Sequence, residues 1–512
     1  MAQRKDAEMS RAPSTHRFIA TLISGALFSK VLGFIREILM AQVIGASLVA
    51  DGFRGAITAV ILPLAFLQNE SVPAIMIPMH REAQERGDAP KHLAALTIAL
   101  TSIAMALMLA VQALGTWWVG AIVGGFSQAG QQLTLEFVRI MALGMPASVL
   151  INCLAAAEIA LGRTRLTNVR ASLLNIAVLC GIAVLALTGY VHALAWSFAI
   201  AFNALAIWAL WSMWRERIIR FEGVNVALVL EVGIDFLHRL RPLLALPLAE
   251  QGNIWVERLL ASRLATGAVA SLDYARTLTE SALLLVSQPV GLAVLSGHPE
   301  KDARAQIDTL VRPVLALALP ASMFLVVFAP EVVRLVFHRG AFSEEGVVLT
   351  SQALRGIAVG LWAATLAWIL IRILNTAGRN ALAAAIIVAA YGANVAVNLV
   401  TAHMPAAHTM GTLLLGLGEA VRSIVLLAAI VLVLEERRKL LFIILLAMIP
   451  AALMGLLGWE IRSMFTGTLD RLLVGGLACA ACVALASALL MPTTYALGLA
   501  RVRGWMSGGG PS

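Results

Sequence analysis

Ser29-Lys30-Val31-Leu32-Gly33-Phe34-Ile35-Arg36-Glu37 (residues 29–37), continued by Gly45-Ala46, Asp51 and Arg54, sets charged side chains inside segments apolar enough to cross a membrane. A charge at bilayer depth costs about 2.5–3.5 kcal/mol on insertion scales, so such residues usually line a cavity or a pathway. The same charges return 222 residues later. Arg36, Gly45, Ala46, Asp51 and Arg54 recur as Arg258, Gly267, Ala268, Asp273 and Arg276. A duplicated set of intramembrane charges predicts a polar chamber between two related helical bundles.

The rest of the chain supports this. Its 512 residues are 60% hydrophobic and only 13% charged, more apolar surface than a water-soluble fold can hide. Apolar windows predict an all-α integral membrane protein of about fourteen transmembrane helices. They lie near 18–44, 53–79, 93–123, 134–160, 170–190, 193–214 and 240–262, then 268–296, 309–337, 347–374, 381–402, 410–434, 440–462 and 471–499. The alternation of a membrane barrel is missing. The basic N-terminus followed by an apolar run superficially suggests a signal peptide. That run is long, holds Lys30 and Arg36, and leads to no small-residue cleavage site, so it is expected to be retained.

Alternate loops are basic. One set carries Arg4, Lys5, Arg11 and Arg17, then Arg81, Arg86 and Lys91, Arg163 and Arg165, Arg215, Arg217 and Arg220, Lys301 and Arg304, Arg379, Arg437 to Lys439, and Arg501 and Arg503. The opposite loops, such as 124–132, 188–192 and 403–409, are nearly free of Lys and Arg. The positive-inside rule then puts both termini of a multi-pass membrane protein in the cytoplasm. Much of the +9 net charge reports this topology, and no basic domain exists to dock nucleic acid.

A second zone repeats at an offset of 216. Arg139, Ala142, Gly144, Ala147, Leu150, Leu154, Gly162 and Arg163 match Arg355, Ala358, Gly360, Ala363, Leu366, Leu370, Gly378 and Arg379. A unit of six helices, an even number, makes the two copies parallel repeats, with a site expected between them. The expected organisation is a cytoplasmic tail (1–16), a six-helix lobe (17–223), a second six-helix lobe (224–435), two additional helices (436–503) and a tail (504–512).

Each intramembrane charge has two readings. Lys30 and Arg36 lie about 120° apart around their helix and flank one side of it, and Asp51 and Arg54 share one face of the next. They can form a cationic chamber for an anionic headgroup, or can snorkel at helix ends around an i,i+3 ion pair. Arg258, with Glu257 beside it, and Asp273 with Arg276 carry the same alternatives. Glu70, between Pro63 and Pro73, marks a broken polar stretch of helix two. Glu419 and Arg422 are expected to neutralise one another, and Asn394 and Asn398 to bond between helices. Trp117, Trp118, Trp196, Trp208, Trp211 and Trp214 read as interface anchors. Cys153, Cys180, Cys479 and Cys482 read as core thiols, and no metal site is expected. No P-loop, catalytic triad or metal-spaced histidine cluster is present, so neither an enzyme nor an ATP-driven pump is expected, and no cofactor.

Phe28-Ser29-Lys30-Val31-Leu32-Gly33-Phe34-Ile35-Arg36-Glu37, with Gly45-Ala46 and Ala50-Asp51-Gly52-Phe53, resembles the opening signature of the MurJ/MviN lipid II flippases of the multidrug/oligosaccharidyl-lipid/polysaccharide exporter superfamily. Leu335-Val336-Phe337-His338-Arg339-Gly340-Ala341-Phe342 is similar to the family's segment between helices nine and ten. Ala353-Leu354-Arg355 and Leu374-Asn375-Thr376-Ala377-Gly378-Arg379-Asn380 are similar to the opening and close of its helix ten. Lys30 stands where the family usually carries arginine, Arg276 sits one position earlier than in the family's helix-eight pattern, and the family's helix-two arginine is missing.

The resemblance implies an alternating-access flippase for an undecaprenyl-diphosphate-linked saccharide, lipid II, acting in peptidoglycan synthesis. In this reading Lys30, Arg36, Arg258 and Arg276 engage the diphosphate, Asp51 and Asp273 orient them, and Arg54 belongs to the same substrate-binding set. Its partners would be the polyprenyl-diphosphate-linked saccharide, the lipid bilayer and proteins of cell-wall or glycan synthesis. The alternatives are a flippase for another polyprenyl-linked glycan, a cation-coupled drug antiporter, and a non-transporting membrane scaffold.

Overall fold

The structure, a computed structural model, describes residues 15–69, 71–296 and 310–492. Glu70, Lys301, Arg304, the basic residues Arg4, Lys5, Arg11, Arg501 and Arg503, and the outermost tails lie outside the described residues. Among the described residues there is helix and no strand.

The first helices are α1 (Thr15–Ile44), α2 (Leu48–Ile61), α3 (Ala65–Gln68), α4 (Ser71–Arg86), α5 (Ala89–Ala113), α6 (Gly115–Val123), α7 (Gln128–Ala142) and α8 (Met145–Ala160). They continue with α9 (Arg165–Thr188), α10 (Ala193–Arg215), α11 (Val226–Leu240), α12 (Ala245–Ala261) and α13 (Ala268–Ser296). The last are α14 (Arg312–Phe337), α15 (Glu344–Thr376), α16 (Asn380–Thr401), α17 (Ala407–Val433), α18 (Arg437–Met464) and α19 (Thr468–Leu490).

Over the described residues the expected segments fall mostly on helix, with 53–79, 93–123 and 134–160 each broken into shorter helices. Fewer qualify as spans: among the described residues ten helices are long and apolar enough to cross a membrane, or eleven if the bent pair α7–α8 is one span. The charge-bearing helices α1, α12 and α13 stand outside that group, and α12 has only 17 residues.

Two compact units divide at Thr266 and Gly267. In the first, α2 packs on α7, α5 on α8 and α11, and α9 on α10 and α1, while α12 packs on α6 and α3. In the second, α15 packs along α17, and α14 is flanked by α15, α18 and α19. The core of this second unit includes Leu315, Leu366, Leu370, Ile430 and Leu440.

The sequence repeat is also a conformational repeat. Gly45 and Gly267 both hold positive φ (70° and 91°), as do Gly162 and Gly378 (73° and 74°). An L side chain in that region costs about 1–2 kcal/mol, so these glycines are placed by backbone geometry. The copies differ where Pro146 opens α8: the chain bends there by 46°, whereas Trp362 stands at the matching position and α15 runs on for 33 residues. Proline removes a helix hydrogen bond and clashes with the preceding turn, and tryptophan does neither.

The break expected in helix two is present. After a 3-10 turn at Leu62–Leu64, Asn69 turns extended and α4 begins at Ser71. Asn69 caps both sides: Nδ2 donates to the Ala65 carbonyl at 3.0 Å, and Oδ1 accepts from the Ser71 amide at 2.8 Å. Asn152 of α8 donates to the buried Leu67 carbonyl at 3.1 Å and accepts from Arg170.

Candidate functional site

In the first unit the charges converge on Glu37. This side chain is 1% exposed, buried where α1 meets α2. Its Oε1 accepts from Arg36 Nε at 3.1 Å, and its Oε2 accepts from Arg54, itself 7% exposed. Arg36 also donates through Nη1 to Asn175 Oδ1 of α9 at 2.8 Å. Asn175 is fixed in turn by donating to the Ser29 carbonyl at 2.8 Å. One carboxylate therefore orients two guanidiniums, and a third helix aims one of them.

The other first-unit candidates take different places. Asp51 is buried in the first turn of α2, beyond the Ser47 cap, where the helix dipole favours a carboxylate. Lys30 is exposed on α1 while Arg36 is half-covered, in keeping with their angular separation. Arg258 and Glu257 are both buried on α12.

The second unit builds a related cluster from other helices. Arg276 of α13 pairs with Asp273 at 3.5 Å and with Glu419 of α17 at 3.3 Å. Glu419 also takes Arg422 at 3.5 Å, whose guanidinium lies over the Tyr391 ring at 5.3 Å. Again one carboxylate joins two arginines. The expected Glu419–Arg422 pair is there, but Arg276 shares its acid. Asn394 and Asn398 depart from expectation: Asn398 donates to Asn394 along their own helix at 2.9 Å. The cause is the backbone of α17 passing so close that a methyl on Gly418 would fall on Asn398 Oδ1.

Sequence reasoning singled out the arginines and missed the bridging role of Glu37 and Glu419 and the part played by Asn175. Glu37 was readable as the acid next to Arg36. Asn175 carries no local signal, because its partner lies 139 residues away. Elsewhere, Glu158 is fully buried, accepts from the Leu166 amide at 2.6 Å and pairs with Arg165 at 3.1 Å, so it caps α9. Trp117, Trp196, Trp211 and Trp214 are exposed, Trp118 donates to the Ala59 carbonyl, and Trp208 lies under Arg165. The four cysteines are free thiols, and no metal-competent group of His, Cys, Asp and Glu occurs among the described residues.

Chemically, each cluster is a carboxylate-braced pair of guanidiniums. Planar forks held in place are suited to the oxygens of a phosphate or diphosphate, which they bind bidentately.

Comparison with known proteins adds to this picture. The family described as Lipid II flippase MurJ matches residues 40–475. Lipid II flippase MurJ of Burkholderia cenocepacia is 26% identical over 364 residues, 67% of this chain and 70% of that protein. The probable lipid II flippase MurJ of Rhizobium tropici is 27% identical over 372 residues, 67% of each chain. A solved structure of lipid II flippase MurJ in an inward closed conformation superposes with a TM-score of 0.76 at 17% identity, covering 91% of this chain and 99% of that one. An inward-facing multidrug resistance MATE transporter of the MOP superfamily gives 0.60 at 14% identity, covering 80% and 94%. At these identities the two superpositions speak for the fold alone.

Proposed function

The chain belongs to the lipid II flippase MurJ family, and from that premise we propose that it carries undecaprenyl-diphosphate-linked saccharide, lipid II, from the inner to the outer leaflet by alternating access. It is a multi-pass protein of the bacterial inner membrane. The observation that carries the assignment of residues is Glu37, a buried acid bracing Arg36 and Arg54 inside an apolar bundle. Such a pair is preorganised for a diphosphate, and the acid keeps the empty site from holding two uncompensated cations. In this reading Arg36, Arg54 and Arg276 meet phosphate oxygens, with Lys30 and Arg258 adding charge. Asp51 and Asp273 steady the bases alongside Glu37 and Glu419.

Both termini face the cytoplasm in this proposal, and the lobes 17–223 and 224–435 follow the repeat, with 436–503 appended. The packing boundary at Thr266 differs from the repeat boundary because α12, second-lobe by sequence, packs on α6 and α3. Net charge moved with the cargo couples to the membrane potential at about 2.3 kcal/mol per charge per 100 mV, and either this potential or an ion gradient is the drive in this proposal. Protein partners from cell-wall synthesis belong to the same proposal.

The test is translocation of lipid II in vesicles reconstituted with Arg36→Ala and, separately, Arg36→Lys. Ala is expected to abolish transport, and Lys to retain part of it, because it keeps the charge and loses the fork. Wild-type transport by a normally folded Ala variant would overturn the role given to Arg36.

A further inference from the structure

The appended hairpin α18–α19 meets α14 at a polar seam set within apolar packing. α14 is kinked at Phe328 (φ −98°, ψ 20°), two residues before Pro330. Phe328 is fully buried, and Gly458 and Gly475 let the hairpin close on its ring, since a methyl on Gly475 would stand 2.7 Å from Cζ. The Val327 carbonyl at the kink accepts from Arg462 Nη1 at 2.9 Å. One turn on, Glu331 is 2% exposed, accepts from Arg471 Nη1 at 2.9 Å and pairs with Arg462 Nε at 3.4 Å. Arg471 uses its remaining nitrogens on the carbonyls of Phe465 (2.7 Å) and Arg462 (3.0 Å).

A third cation completes the group. Arg355 of α15 is partly exposed and lies one turn before Ala358, which packs with Leu325 of α14 in a cluster that Val332, next to Glu331, also lines; it is within electrostatic reach of both Arg462 and Glu331. Among the described residues it makes no hydrogen bond or ion pair. The other acids on these helix ends, Glu344, Glu345, Glu460 and Asp470, are exposed, and Glu344 is taken by Arg334 at 2.6 Å. Three guanidiniums thus face one buried carboxylate whose Oε1 is already shared by two of them. A partly buried arginine in apolar surroundings is costly unless an anion compensates it, and at headgroup depth the abundant anion is phosphate.

We propose that Arg355 and the free edge of Arg462 form a lipid-phosphate site beside the hairpin, with Arg471 and Glu331 as its frame. By the loop charges this is the outer end of α14, so the phosphate comes from an outer-leaflet phospholipid or from a polyprenyl diphosphate. The site lies within the second unit and stands whether or not Arg36 and Arg54 carry cargo.

The full-length protein, purified in detergent, can be titrated with phosphatidylglycerol, undecaprenyl diphosphate or diacylglycerol and followed by native mass spectrometry. The wild type is expected to retain both phosphate lipids and not diacylglycerol. Arg355→Gln and Arg462→Gln should each weaken that binding about tenfold, as expected for loss of a charge-assisted hydrogen bond. Arg355→Lys should fall between, and Arg139→Gln, at the repeat counterpart, should change nothing. Arg355-dependent preference for the diphosphate identifies cargo as the source, and equal Arg355-dependent binding identifies bilayer lipid. Wild-type affinity for both in Arg355→Gln with an unchanged melting temperature, or equal retention of diacylglycerol, overturns the site. Should Arg355→Gln fail to fold, Arg355→Lys decides: unweakened binding there, with Arg462→Gln also unweakened, overturns it.

Discussion

Glu37 shows how a single acid can organise a membrane site. It lies beside Arg36 in the chain, yet its second partner, Arg54, arrives from another helix 17 residues on. Removing its charge leaves two guanidiniums facing each other in a low-dielectric bundle. Breaking a buried pair by removing one partner costs about 3–5 kcal/mol. Glu37→Gln should therefore lower the melting temperature of the detergent-solubilised protein markedly and slow lipid II translocation. An unchanged melting temperature would mean that Arg54 is compensated by other groups. Gly162 makes a simpler case, because nothing lies within 4 Å of a methyl there and only its φ of 73° matters. Gly162→Ala should cost about 1–2 kcal/mol, and Gly162→Asn less, since asparagine tolerates the left-handed region.

Helix pairs are held by small residues and by ends tied with charge. Gly356 and Gly360 of α15 face Gly416 and Ala420 of α17 so closely that methyls would reach the Leu413 carbonyl and the Ala420 backbone. Without a hydrophobic drive between helices in lipid, such close packing supplies the association energy. Gly360→Ala should destabilise the second unit by about 1–3 kcal/mol, the usual range for overpacking. Gly392→Ala, on α16 with open space around it, should be neutral or stabilising in the same melting experiment.

At the other kind of contact, Glu216 joins the end of α10 to Arg163 and to Arg165, the latter at 3.5 Å. Burial works against its ionisation, but the hydrogen bond and charge of Arg163, with Arg165, outweigh it and hold the carboxyl below its ordinary 4.5. A lowered value means stability that is present above 4.5 and lost as pH falls through the lower folded value. The melting temperature should fall over that acid range, and Glu216→Gln should flatten part of the fall.

For the chain in its bilayer, topology is the decisive measurement. In a background without its four cysteines, Ser127→Cys should react with an impermeant maleimide from outside intact cells, while Thr164→Cys should react only after permeabilisation. The reverse pattern would overturn the orientation drawn from the loop charges. Helical content, the membrane and the repeat were legible because they depend on composition, on period and on scarce residues recurring at one offset. Two glycine pairs of the repeat, Gly45 with Gly267 and Gly162 with Gly378, share a positive φ. The number of spans was less legible: Pro146 bends the apolar run of α7 and α8, and among the described residues α1, α12 and α13 fall outside the ten helices that are long and apolar enough to cross.

Composition and spacing alone were enough to say that this chain is a helical membrane protein with arginines inside apolar segments, since burying charge is costly wherever it is placed. Which acid answers each arginine required packing. Glu37 could serve Arg36 or Arg54, and Glu419 could serve Arg422 or Arg276. Asn175 and Arg355 come into range only when α9 lies on α1 and α15 lies on α14. Charge pairing falls off over a few ångströms, and contacts between distant helices have no local pattern from which to be read.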